Sequence, residues 1–144
     1  MPSISRSALV PYSTEQMFKI VDDVEQYSTF LPWCGASEEI KRTDASVEAS
    51  VTIAKGAIHK KFVTLNETQP YSVIEMKLLE GPFKHLHGYW RFEDLKGQAC
   101  KISLELDFEF SNRLVSMAIG SIFNQVANTL VDSFVARAKE LHGV

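Results

Sequence analysis

Residues 114–131 read LVSMAIGSIFNQVANTLV, and this stretch decides the fold. It contains no Asp, Glu, Lys, Arg or His, although 23% of the chain is charged. Its apolar residues recur at helical spacing, and the stripe that they form is wide: Val115, Ile119, Ile122, Phe123, Val126, Ala127, Leu130, Val131 and Phe134. The pattern predicts one long helix over residues 113–142 with Asn112 as its N-cap. Gly120 inside it predicts a bend or the close approach of another backbone.

The N-terminal residues predict a strand and then two helical segments. Residues 3–11 alternate with period two, as a strand with one buried face does. Ser13 and Gln16 have the spacing of a capping box, which indicates the start of a helix. A short second helical segment covers residues 27–31 and ends at Pro32.

The middle of the chain predicts strands. Apolar and polar residues alternate in five segments: 47–53, 58–66, 74–78, 86–93 and 100–110. Such alternation indicates an antiparallel sheet with one buried face and one solvated face. The predicted order is strand, helix, short helix, about six strands and a long helix. We therefore expect an α+β domain over residues 1–144, with seven antiparallel strands and one long helix across the concave face of the sheet.

The amino-acid composition limits the classes of function and the cellular locations that can be expected. The net charge is −3 and the isoelectric point is about 5.8, which argues against a protein that follows a nucleic-acid backbone, so no DNA partner is expected. Two cysteines, Cys34 and Cys100, are too few for a disulfide framework and indicate a reducing compartment. No secretory signal is visible at the N-terminus, and polar residues within 114–131 argue against a membrane span. A cytoplasmic location is expected.

Several short motifs carry a family resemblance that extends over nearly the whole chain. They are ISRSALVPYS (4–13), MF (17–18), VDDV (21–24), Tyr27, FLP (30–32) with Cys34, GPF (81–83), Trp90 with Phe92, LDFEF (106–110) and RAKE (137–140). With them the chain resembles the bacterial coenzyme-Q-binding START-like family of the polyketide cyclase/dehydrase superfamily. The resemblance implies the START/Bet v 1-like helix-grip fold, a curved seven-stranded antiparallel sheet around a long C-terminal helix, with two short helices after strand 1.

The resemblance also implies a hydrophobic cavity. Its expected walls are Phe62, Ile74, Met76, Leu78, Trp90, Phe92, Leu106 and Phe108 from the sheet and Ile119, Phe123 and Val126 from the helix, and its expected mouth is Phe30, Leu31, Trp33 and Phe83. Pattern alone favours a filled core at these positions, and only the resemblance favours a cavity. Its implied occupant is a polyprenyl quinone (ubiquinone) that supports respiration, with no cofactor required. Trp33 departs from the family, where a smaller residue is usual, and would narrow or line the mouth.

The same family is also described as ribosome-association toxins, and this is the main alternative function. It implies the large ribosomal subunit as a partner, and an antitoxin as a second partner that the sequence does not identify. Lys60, Lys61, Lys84 and Arg91 are the candidate contacts, in a basic strip on the sheet exterior, although an ordinary charged face has the same composition. Quinone binding would add transient contact with a membrane surface and a location peripheral to the inner membrane.

Catalysis and metal binding find less support in the sequence. Older family descriptions name oligoketide or polyketide cyclases, yet the inward positions include no carboxylate or histidine that could act as a general acid or base. His85 and His87 share one strand face, but it is the solvated face and no third ligand has suitable spacing. We therefore predict no catalytic residue and no metal site, and a cyclase activity is the weaker alternative.

Overall fold

The computed structural model describes residues 3–96 and 98–143; the remaining positions of the predicted domain, 1, 2, 97 and 144, lie outside the described residues. The strands are β1 (Ser3–Val10), β2 (Cys34–Arg42), β3 (Ser46–Lys55), β4 (Ile58–Gln69), β5 (Val73–Glu80), β6 (Phe83–Asp94) and β7 (Cys100–Phe110). The helices are α1 (Thr14–Asp22), α2 (Tyr27–Phe30) and α3 (Arg113–His142), with a 3₁₀ turn at Val24–Gln26. The predicted α+β class and element order are confirmed.

The seven strands form one antiparallel sheet in the order β1-β7-β6-β5-β4-β3-β2. Each strand from β2 to β7 pairs with its neighbours in sequence, and β1 closes the order by pairing with β7, with Ile4 opposite Leu106. Along β7 the residues that were predicted to face inward are buried from Cys100 to Phe108. The sheet therefore presents one apolar face to α3, as the helix-grip fold requires.

β2 is the strand that alternation did not locate. It is an edge strand, and most of its residues are exposed on both faces. Its register with β3 shifts after Cys34 and again after Glu39. Because a bulge moves the following side chains to the other face, a period-two pattern cannot persist along it. The predicted number of strands was correct although β2 was not placed.

α3 begins and ends with local caps. The Asn112 side chain accepts a hydrogen bond from the Val115 N–H at 2.9 Å, which confirms the predicted cap. Gly143 has a left-handed φ of 67° and its N–H donates to the Lys139 carbonyl at 2.8 Å. A Cβ at Gly120 would meet only side-chain atoms, so the predicted close approach of another backbone is wrong. By length and composition alone α3 could cross a membrane, but here it packs on the sheet as a core helix.

Two aromatic clusters fix α3 on the sheet. Phe134 is fully buried, and its ring lies 5.2 Å from that of Trp90 and 5.3 Å from that of Tyr27. Phe123 anchors the other cluster, with its ring 4.7 Å from Phe108 and 4.9 Å from Phe83. Such edge-to-face pairs stabilise by about 0.5–1.5 kcal/mol each beyond area burial. The space between the two anchors determines what the interior can hold.

Two glycine substitutions are expected to change stability in opposite directions. Gly88→Ala would place a Cβ 2.7 Å from the Glu105 carbonyl oxygen, so we expect a loss of about 1–3 kcal/mol in unfolding free energy. Gly120→Ala would meet the Ser116 and Phe110 side chains at 3.6 and 3.7 Å, and better helix propensity should stabilise by about 1 kcal/mol. Urea denaturation measures both. Equal midpoints for the two variants would contradict the close packing at Gly88.

Candidate ligand-binding site

An inner cavity of about 90 Å³ lies between α3 and the sheet. On α3 the side chains of Phe123, Ala127, Leu130 and Phe134 share one face, and Ala127 is the smallest of them. The methyl group of Ala127 leaves unfilled the space that the two phenylalanine rings hold open. The other lining residues are Val24, Tyr27, Trp33, Ala49, Val51, Phe62, Thr64, Asn66, Met76, Leu86, Trp90, Leu104, Leu106 and Val126.

An outer groove of about 210 Å³ adjoins this cavity and shares Trp33 and Val126 with it. Its other lining residues are more polar: Pro32, Lys55, Ile122, Gln125, Thr129 and Ser133. Ligand pockets commonly measure about 300–1,000 Å³, so the cavity and the groove together approach the lower end of that range. One elongated site with an apolar inner part and a polar outer part is the arrangement that results.

Trp33 lies at the junction of the two spaces and carries an unsatisfied donor. Its carbonyl accepts a hydrogen bond from the Ala54 N–H at 2.8 Å, which fixes the backbone beside β3. Its indole Nε1 is buried and has no hydrogen-bond partner among the described residues. A buried donor without a partner costs about 1–3 kcal/mol. Trp33 therefore carries one N–H for which the described residues supply no acceptor.

The two hydroxyl groups of the inner cavity are bonded within the protein. The Thr64 hydroxyl donates to the Asn66 side-chain oxygen at 2.9 Å. The Tyr27 hydroxyl donates to the Val21 carbonyl, and burial raises the pKa of Tyr27 well above its usual value. Among the described lining residues there is no Asp, Glu, His, Lys or Arg. The inner cavity can bind apolar matter but lacks a group suited to proton transfer.

The outer face of the sheet carries paired charges. His87 Nε2 lies 2.7 Å from Glu75 Oε2, and this hydrogen bond lowers the pKa of Glu75. His85 also lines this face, beside an open groove. Within residues 3–96 and 98–143 no group of three or more His, Cys, Asp or Glu side chains is placed to hold a metal ion.

The candidate ribosome contacts do not all lie on one face of the sheet. Lys60 and Lys61 are neighbours in β4, so their side chains leave opposite faces of the sheet. Lys84 lies 3.7 Å from Glu109. Arg91 lies 3.5 Å from Glu105, with its guanidinium 4.7 Å from the centre of the Tyr89 ring. The four are exposed, but two of them face carboxylates within the same sheet.

Comparison with known proteins identifies the family. A profile described as "Polyketide cyclase / dehydrase and lipid transport" matches residues 10–135. The chain belongs to this family. The family assignment agrees with the resemblance that the sequence motifs carried.

Relatives within the family carry different names. The "Ribosome association toxin RatA" of Pseudomonas aeruginosa is 46% identical over 140 residues, which cover 97% of each chain. The mitochondrial "Coenzyme Q-binding protein COQ10 homolog B" of Xenopus laevis is 28% identical over 96% of this chain and 59% of its own length. The solved Zhui aromatase/cyclase from a Streptomyces species superposes with a TM-score of 0.84 at 14% identity, covering 96% of this chain and 93% of that one. That last likeness concerns the fold.

The structure brings about half of the predicted site residues to the inner cavity. Seven of them line it: Trp33, Phe62, Met76, Trp90, Leu106, Phe123 and Val126. Others pack in the aromatic clusters around it: Ile74, Leu78, Phe92 and Phe108. Ile119 is buried in α3, and Phe30 lies under the Arg137 guanidinium at 5.0 Å. Leu31 and Phe83 are 2% and 6% exposed, so the structure places these two mouth residues in the interior.

Some lining residues were absent from the predicted set. Thr64 and Asn66 follow Phe62 at intervals of two in β4, so the inward position of Phe62 was the signal that could have identified them. Leu104 lies on the inward face of β7 that alternation had marked. Tyr27 comes from α2, and no strand or helix periodicity points it toward the sheet. Its role depends on tertiary packing against Phe134.

The two cysteines are free and buried, as the sequence indicated. Cys34 follows Trp33, and its thiol donates to the Ala36 carbonyl at 3.3 Å. Burial raises the pKa of the Cys34 thiol, and it raises that of Cys100 to about 11. Both thiols are therefore protonated at neutral pH and are poor nucleophiles.

Native-state thiol reactivity is expected to be low. At about pH 8 both cysteines should react with dithiobis-nitrobenzoate at least about tenfold more slowly than in guanidinium-unfolded chain, because burial keeps them protonated and shielded. Cys100→Ala isolates Cys34, and Cys34→Ala isolates Cys100. A thiol that reacts equally fast in the native and unfolded states would contradict the burial at its position.

Proposed function

We propose that the chain binds an elongated apolar molecule that carries a carbonyl acceptor, with a polyisoprenoid quinone as the chemical class. The unpartnered Trp33 indole N–H carries the proposal, because it is a buried donor between an apolar cavity and a more polar groove. A quinone combines the matching parts. Its ring oxygens accept hydrogen bonds, and its isoprenoid chain favours apolar surroundings at about 25 cal/mol per Å² buried.

The dimensions of the site define how such a molecule would lie. The ring would occupy the outer groove, near Lys55 and Gln125, and the first part of the chain would enter the inner cavity beside Met76. At about 90 Å³ the inner cavity holds only a short part of the chain. Met76 has flexible torsions and can yield to more. The rest of a long tail would lie outside the inner cavity.

The proposed activity is binding without chemistry. The described inner lining supplies no ionisable general acid or base, and the one tyrosine there already donates within the protein. A relative named as a coenzyme Q-binding protein supports the ligand class at 28% identity. The proposed role is to hold or deliver a quinone in support of respiration.

Two substitutions should separate the hydrogen bond from the cavity. Trp33→Phe removes the donor, so binding of a ubiquinone with two isoprene units should weaken about fivefold to tenfold, while binding of farnesene, which has no acceptor, should change little. Ala127→Leu adds an isopropyl group inside the cavity and should weaken binding of both. Isothermal titration calorimetry measures the affinities of every variant for both molecules.

The matched control is Ala136→Leu, the same change on the exposed face of α3. It should leave both affinities unaltered. Equal loss of quinone and farnesene in Trp33→Phe would remove the hydrogen bond from the proposal. No binding of either probe to the wild-type protein would remove the proposal itself.

We also propose a second function, association with the large ribosomal subunit. A specific observation favours it: a relative that is 46% identical over 97% of both chains is named a ribosome association toxin. Association would use the exterior of the molecule and place the chain in the cytoplasm, with an antitoxin as a further partner. It does not exclude ligand binding, because the ribosome would contact exposed side chains and the inner cavity is lined by the interior face of the sheet and by α3.

Sucrose-gradient sedimentation tests the second function. Added protein should raise the free subunits at the expense of joined ribosomes and should cosediment with the large subunit. Contact with RNA phosphates weakens steeply with salt, so the effect should fall when monovalent salt is raised about fourfold. Unchanged profiles at low salt would count against the ribosomal role, and Ala127→Leu should behave as wild type because its change is internal.

A further inference from the structure

One end of the sheet carries a net positive charge, opposite in sign to that of the whole chain. β2, β4 and β6 begin at this end, and β3, β5 and β7 finish there. We define the basic end as residues 55–61, 79–85 and 109–117. These ranges contain five basic side chains, Lys55, Lys60, Lys61, Lys84 and Arg113, and two acidic ones, Glu80 and Glu109. The basic end therefore has a formal charge of +3 in a chain whose net charge is −3.

Direct contacts join the three ranges. The Ser111 N–H donates to the Pro82 carbonyl at 3.0 Å, so the loop before α3 adjoins the turn between β5 and β6. A Cβ at Gly81 would lie 2.7 Å from Phe62 Cβ, so this turn also adjoins the start of β4, beside Lys61. The three ranges of the basic end are therefore neighbours at one end of the sheet.

Large apolar side chains stand exposed on this surface. Leu114 is 77% exposed, Met117 is 76% exposed and Leu79 is 47% exposed. Leu114 and Met117 are one turn apart at the start of α3, so they project from the same side of the helix. Each of these side chains would gain by leaving water. Apolar side chains between cations are the composition of surfaces that sit on lipid headgroups.

We propose that the basic end docks on an anionic lipid bilayer, with Leu79, Leu114 and Met117 entering the headgroup region. Phosphate is the group that both a lipid surface and RNA present to the lysines. The exposed apolar tips favour the bilayer, because an RNA backbone offers no apolar phase to receive them.

Docking at this end would place the binding site beside the membrane. Lys55 belongs both to the basic end and to the outer groove, where it donates to Gln125 at 3.4 Å. The groove therefore opens next to the proposed contact surface. The significance of docking for ligand loading rests on the proposed function, whereas docking itself can be measured without any quinone.

Vesicle flotation tests the docking surface. Wild-type protein should float with vesicles of about one third phosphatidylglycerol in phosphatidylcholine, and much less with pure phosphatidylcholine. Lys60→Glu with Lys61→Glu should weaken binding at least about tenfold, because each lysine near an anionic surface favours binding substantially. Leu114→Ser with Met117→Ser should weaken it by a similar factor at both low and high salt.

Matched controls lie elsewhere on the chain. Leu9→Ser removes a leucine that is 73% exposed in β1, and Lys41→Glu with Lys96→Glu makes the same charge change outside the basic end. Both should float as wild type, and circular dichroism should show every variant folded. Equal flotation of basic-end and control variants would overturn the proposal. So would wild-type protein that binds ribosomes through Lys60 and Lys61 but binds no vesicle.

Failure of docking and failure of ligand binding give different results. Basic-end variants that lose vesicle binding should still bind the short ubiquinone from solution. Ala127→Leu should lose the quinone but keep the vesicles. Vesicle binding without quinone binding would refute the proposed function and leave the docking surface intact.

Discussion

The unfilled space in the interior depends on two phenylalanine rings of α3, which hold the helix away from the sheet on either side of Ala127. Phe123 and Phe134 each pack edge-to-face against rings from the strands, and Ala127 lies between them. A helix is stiff, so α3 cannot bend inward to close a gap that its own two anchors define. An unfilled volume of about 90 Å³ costs about 2 kcal/mol at the usual rate of about 24 cal/mol per Å³. A larger residue at position 127 would avoid that cost, so the void is a property of the sequence and not of imperfect folding.

The polarity of the site increases from the inner cavity to the outer groove. The inner cavity is apolar and its hydroxyl groups are satisfied, whereas the groove beyond Trp33 contains Lys55, Gln125 and Ser133. The proposed ligand would be oriented by where its polar atoms are least costly, and the Trp33 N–H would add one directional contact at the boundary. The solved Zhui aromatase/cyclase has the same fold, which shows that the fold by itself does not decide between binding and catalysis. In this chain the described residues that line the inner cavity include no Asp, Glu, His, Lys or Arg.

The fold could be predicted from the sequence wherever the alternation of apolar and polar residues agrees with their burial. The site could be predicted only with the help of the family resemblance. From Cys100 to Phe108, β7 alternates buried residues with less buried ones, and the uncharged run fixed the place of α3. β2 was not located because bulges in this exposed edge strand interrupt the period-two pattern of apolar residues. Thr64 and Asn66 could have been found from Phe62, but Tyr27 and the burial of Phe83 depend on how distant elements meet. A cavity consists of missing atoms, and no single residue encodes it. The family resemblance and the departure at Trp33 pointed to the region where the cavity lies, whereas composition could not distinguish it from a filled core.

The two faces of the sheet allow separate uses of one small molecule. Alternate residues of a strand leave opposite faces, so β6 contributes Trp90 to the cavity wall and His87 to an outer network with Glu75. Changes on one face need not disturb the other, and relatives of this chain carry names as different as a ribosome association toxin and a coenzyme Q-binding protein. The two uses are connected at the basic end, because Lys55 belongs both to this end and to the outer groove. If a bilayer or a ribosome covered this end, as proposed, it would also lie beside the outer groove.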